Sequence, residues 1–169
     1  MKRFVSIGAA GALAVVATSA GLSISADAAT ATFNANARII PAILINNTAD
    51  LEFADVIPDA VSAETVVIDT AGGRTCSGAL LCSGTAGAAS FDVTGAANAT
   101  YAITLPGASN IMSGGDSMTV SGFTDSAGGV GTLSAVGTDS FTVGGTLSVG
   151  AAQPVGTYTG NFIMTVNYN

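Results

Sequence analysis

Histidine and tryptophan are absent from the 169 residues, and lysine and arginine together number four. Two of those four, Lys2 and Arg3, sit at the extreme N-terminus, so Arg38 and Arg74 are the only basic residues after it. Without histidine, and with no lysine beyond residue 2, a serine or cysteine nucleophile lacks its usual base. A zinc site lacks its commonest nitrogen ligand. Nucleic acid needs lysine and arginine to neutralise its phosphates, so it is excluded as a partner. These absences point away from catalysis, metal and cofactor, and none of these is expected.

Long apolar runs are also missing, save one. Lys2 and Arg3 precede "FVSIGAAGALAVVATSAGLSI", and "ADA" at 26–28 supplies the small-x-small residues of a signal peptidase site. Residues 1–28 are expected to be a cleaved signal peptide, and 29–169 a single secreted domain. That domain carries two arginines against ten acids, a net charge of about −8.

Cysteine is scarce. Cys76 and Cys82 lie in "CSGALLC", and in a secreted chain an even pair reads as a disulfide. The spacing is not the Cys-x-x-Cys of a redox pair. A structural bridge pinning a hairpin is expected, worth about 2 kcal/mol for so small a loop.

What the chain has in quantity is short alternating runs rich in Val, Thr, Ile, Phe and Tyr. They are split by Gly, Ser, Asn, Asp and Pro. Strands are expected at 30–39, 42–46, 51–56, 65–70, 90–95, 100–105, 118–123, 131–136 and 140–149, and over the terminal run. Turns are expected at "SGGD" (113–116), "SAGG" (126–129) and "AAQPVG" (151–156). No useful helix is indicated. The fold class is all-β, an antiparallel sandwich.

Both ends alternate. At the front Ala31, Phe33, Ala35, Ala37 and Ile39 share one parity, with Thr30, Thr32, Asn34, Asn36 and Arg38 on the other. At the back Tyr158, Phe162, Met164, Val166 and Tyr168 share one parity, Ile163 being the exception on the polar side. Chain ends fray unless tied down, and an unpaired strand edge invites another chain. The acids Asp50, Glu52, Asp55 and Asp59 read as a solvated face; a calcium site from them is conceivable.

"PVGTYTGNFIMTVNYN", with Tyr168 next to last and Gly156 fourteenth from the end, resembles the C-terminal segment of chaperone–usher pilus subunits. "FNANARIIPAILINNTADLEFADV" resembles the opening of the archaic, spore coat protein U-like branch, and the whole domain is similar to a bacterial family of unknown function grouped near it. A cysteine common near the end of the first strand in such subunits is missing here. The resemblance implies an incomplete immunoglobulin-like sandwich completed by donor-strand exchange. Residues 29–39 would be the donor strand, inserting Ala31, Phe33, Ala35, Ala37 and Ile39. Gly156, Tyr158, Phe162, Met164, Val166 and Tyr168 would line the groove and face a chaperone. It further implies a head-to-tail homopolymer, a periplasmic chaperone and an outer-membrane usher as partners, and a cell-surface fibre. A self-contained monomeric surface or ligand-binding module is the alternative.

Overall fold

The computed structural model describes residues 28–169, so the signal-peptide reading of 1–28 lies, Ala28 apart, outside the described residues. The described residues fall into two units, the first ending at Ala37 and the second spanning Arg38–Asn169. In the first, residues 28–37 are exposed and form no strand. The second begins in the same way, and Arg38–Ile43 are not a strand either. The strand expected at 30–39 is therefore not present in the single chain. Alternation specifies which side chains share a face, but a strand also needs a ladder partner for its N–H and C=O groups.

From Leu44 onward the described residues form twelve strands and no helix: β1 (Leu44–Ala49), β2 (Asp55–Ile57), β3 (Glu64–Ile68), β4 (Arg74–Cys76), β5 (Leu81–Ser83), β6 (Ala89–Thr94), β7 (Thr100–Thr104), β8 (Ser109–Ser113), β9 (Asp116–Asp125), β10 (Val130–Thr132), β11 (Thr138–Val149) and β12 (Thr165–Tyr168). All pairings are antiparallel. The large sheet runs β1-β6-β11-β3-β4, with β9 also paired to β11 and β8 to β9. A three-stranded sheet runs β10-β7-β12, and β2 pairs with β5 alone. The fold is an all-β sandwich.

β11 is the hub because its alternation is the longest. Phe141, Val143, Leu147 and Val149 are buried, while Ser140, Thr142, Thr146 and Ser148 face outward. Its first half pairs with β6 and its second with both β3 and β9. β9 keeps step with it through a bulge at Gly122, whose φ of +59° a side chain would strain.

The core has two clusters. The first joins Val93, Phe141 and Val143 of the large sheet to Tyr101, Ile103 and Leu133 from the β10–β7 side. The second gathers Val66, Val120, Leu147, Val149 and Ile111 with Leu80. Each such side chain contributes about 1.5–3 kcal/mol on burial. The first cluster lies between the large sheet and the three-stranded sheet. The second is covered only by the β2–β5 leaf and by irregular backbone, and that difference makes the site.

Several strands differ from expectation. β4, β5 and β8 lie outside the expected strands, being short and weakly alternating. β8 is formed by the Gly114–Gly115 turn, which closes a two-residue hairpin onto β9 at Ser113↔Asp116. "LEFADV" is a strand only from Asp55, preceded by a single bridge at Glu52↔Gly87. The run at 131–136 ends by Thr132, because Gly137 (φ +79°) packs against the Gly95 carbonyl and turns the chain into β11.

Candidate functional site: an open groove between two banks

Over the second core cluster lies a groove of about 1030 Å³. That volume is at the upper end of the roughly 300–1,000 Å³ typical of small-molecule sites. Its floor is the large sheet, with Ile111, Val120, Leu147 and Val149 exposed by no more than 8% each. One bank is the segment Asp50–Val56; the other is Gln153–Met164.

The C-terminal bank keeps the side-chain parity read from the sequence. Tyr158, Phe162, Met164, Val166 and Tyr168 are half-buried and turn inward, whereas Ile163 is 82% exposed. Tyr158 and Phe162 pack on the second cluster, and Met164, Val166 and Tyr168 on the first. Phe162 meets Phe123 edge-on, ring centroids 5.1 Å apart. The Tyr158 hydroxyl donates to Pro154 O (2.8 Å) and accepts from Gln153 Nε2 (2.9 Å). A side chain at Gly156 would run into Ser113 Oγ, which explains a glycine at an otherwise exposed position. The Tyr168 hydroxyl accepts from Ala96 N (2.7 Å) and donates to Pro41 O (3.0 Å), so the penultimate residue ties three distant parts of the chain.

The expected continuous terminal strand is corrected. The ladder with β7 runs only from Tyr168↔Tyr101 to Thr165↔Thr104. Extending that register sets Ile163 opposite Pro106, which has no N–H to give. Nearer the start, Thr159 alone is bridged, exchanging both of its hydrogen bonds with Met112 (3.0 and 2.8 Å). β12 is an edge strand, and Gly160–Met164 lie along the groove outside any ladder.

The opposite bank is a leaf clasped to the large sheet. Cys76 and Cys82 form the expected disulfide, but it does not pin a hairpin. Cys76 lies on β4, paired to Val66 of the large sheet; Cys82 lies on β5, paired to Val56 of the bank. The bridge therefore joins two sheets. Arg74 reinforces it, its guanidinium donating to Phe53 O (3.0 Å) and Ser83 O (2.8 Å). Leu80, in the turn between the cysteines, is buried in the second cluster. Replacing Arg74 by methionine is expected to lower stability by about 1–3 kcal/mol by leaving these carbonyls without their charged donor. Amide hydrogen exchange should quicken at residues 53–57 while the β6–β11 ladder is unchanged.

The residues expected to form the donor set are exposed: Ala31, Phe33, Ala35 and Ala37 in the first unit and Ile39 in the second, Phe33 at 91% and Ile39 at 97%. Of the acids, Asp50, Glu52 and Asp55 sit on the leaf bank of the groove. No group of three metal-ligating side chains occurs among the described residues.

Beneath the three-stranded sheet, Tyr101 is fully buried and its hydroxyl donates to Asp139 Oδ2 (2.9 Å). Burial first, and then that hydrogen bond to Asp139, raise the phenol well above its ordinary pKa of about 10. Its ring fills the space over Gly131 directly across the β7–β10 ladder.

No curated protein matches the chain, and no solved structure does. One family model does match, that of a domain of unknown function, DUF4402, over residues 43–168. The matched stretch spans every strand from β1 to β12, and the chain belongs to this DUF4402 family.

Proposed function

We propose that the protein is the structural subunit of a secreted surface fibre, an incomplete immunoglobulin-like sandwich whose groove receives the leading segment of another copy. The single observation that carries this is the groove itself: a trough floored by buried apolar side chains, with backbone outside any ladder on the C-terminal bank. An extended strand suits such a trough, because its backbone can bond to the open edge while alternate side chains enter the floor. The segment with the right alternation is 29–39, which carries Phe33 and Ile39 exposed. The resemblance of both chain ends to chaperone–usher subunits supports the same reading, with a chaperone occupying the groove before the next subunit does. On this reading the chain reaches the surface through the periplasm, after removal of residues 1–28, and passes through an outer-membrane usher.

The rival is a monomeric module that uses the groove for an elongated apolar ligand. Gel electrophoresis in detergent separates the two. A ladder of multiples of the subunit that collapses to one band on boiling is expected of the fibre; a single band in unheated samples overturns it.

A further inference from the structure

The two banks of the groove differ in charge. On the leaf bank Leu51 and Phe53 are half-buried against the core, and between and beside them Asp50, Glu52 and Asp55 are exposed. The exposed residues of the C-terminal bank are Pro154, Val155, Gly156, Thr157, Thr159, Gly160, Asn161 and Ile163, none of them charged. The basic side of the ledger is as uneven. Only Arg38 and Arg74 are basic among the described residues. Arg74 is engaged by backbone carbonyls of the leaf, whereas Arg38 is exposed.

We infer that Arg38 of an incoming second copy, its segment bonded to the open C-terminal bank, reaches across the groove to Asp50 and Glu52 and thereby fixes the register that the inserted segment adopts. This rests on the fibre reading above and adds the element that selects its geometry. The parities agree. Phe33, Ala35, Ala37 and Ile39 lie on the side of the segment that would enter the floor, beside the inward Leu51 and Phe53. Arg38 lies on the opposite side, with the outward Asp50 and Glu52. Side chains on one face of adjacent strands interact directly or diagonally, with opposite charges favoured and like charges penalised. A one-residue slip would send Arg38 into the apolar floor, where an unpaired charge is prohibitive. The partner chemistry is therefore an extended apolar-alternating strand carrying a cation on its polar face.

The test uses the full chain refolded with an excess of a labelled, N-acetylated peptide spanning residues 29–40, followed by fluorescence anisotropy. At low salt, an Arg38→Glu peptide is expected to bind about tenfold more weakly than the parent, as befits reversal of one exposed charge against two carboxylates. A chain carrying Asp50→Arg and Glu52→Arg should invert that preference, and high salt should shrink it. Equal binding of both peptides at low salt overturns the charge lock but leaves the strand-binding groove standing. Absence of binding by either peptide, to either chain, overturns both. The substituted side chains are exposed, so loss of fold is not the expected cause of any difference; a circular-dichroism melt of each variant verifies this.

Discussion

Replacement of Tyr101 by alanine is expected to lower stability by about 3–5 kcal/mol, the range for deleting a buried aromatic ring. Against a typical total of about 5–15 kcal/mol this is enough to threaten folding. The ring is fully buried in the cluster that joins the two sheets. It also covers Gly131, which has no side chain of its own to pack. Phenylalanine at the same position keeps the ring and removes only the hydroxyl bonded to Asp139. It should cost about 1 kcal/mol near neutral pH.

The two substitutions part company in alkali. Burial and the Asp139 hydrogen bond keep the Tyr101 phenol protonated in the folded chain beyond the pH at which it ionises when unfolded. Above about pH 10 the unfolded state therefore holds fewer protons than the native state, and stability falls as pH rises. Urea titrations between pH 8 and 11 should show that decline in the parent. In Tyr101→Phe the part of it owed to this residue should be gone. An identical decline in both would refute the assignment.

The second large effect is on assembly rather than stability. Removal of residues 29–39 is expected to abolish polymer while leaving thermal unfolding of the remaining domain almost unchanged. These side chains are exposed and contribute no strand to the single chain. Between copies, insertion of Phe33 and Ile39 would contribute about 1.5–3 kcal/mol each, and each ladder hydrogen bond about 1 kcal/mol net. Loss of the segment thus removes the whole joint. Fibres that persist after the deletion, seen by negative-stain microscopy, would show that strand donation by this segment is not how copies join.

Period two carries side-chain parity at β11 and along the C-terminal segment, but it does not make a strand of residues 30–39. The β11 alternation, the inward set from Tyr158 to Tyr168 and the outward Ile163 all follow from side chains alternating across a strand. Partners were not legible, because a ladder depends on residues far away in the chain. Whether Gly160–Met164 belong to a strand turns on Pro106, over fifty residues distant. The spacing of Cys76 and Cys82 is compatible with a hairpin, yet their strands pair with Val66 and Val56 instead. β4 and β5, at three residues each, are too short to announce themselves by alternation.

By itself, then, the sequence determined an all-β chain without histidine and with an apolar parity at each end, since composition and periodicity are local properties. Tertiary structure alone decided that one half of the sandwich is sealed by a sheet and the other is left as a trough. A trough is made by the relative placement of Asp50–Val56, Gln153–Met164 and the sheet beneath, and no segment carries that placement in its own residues.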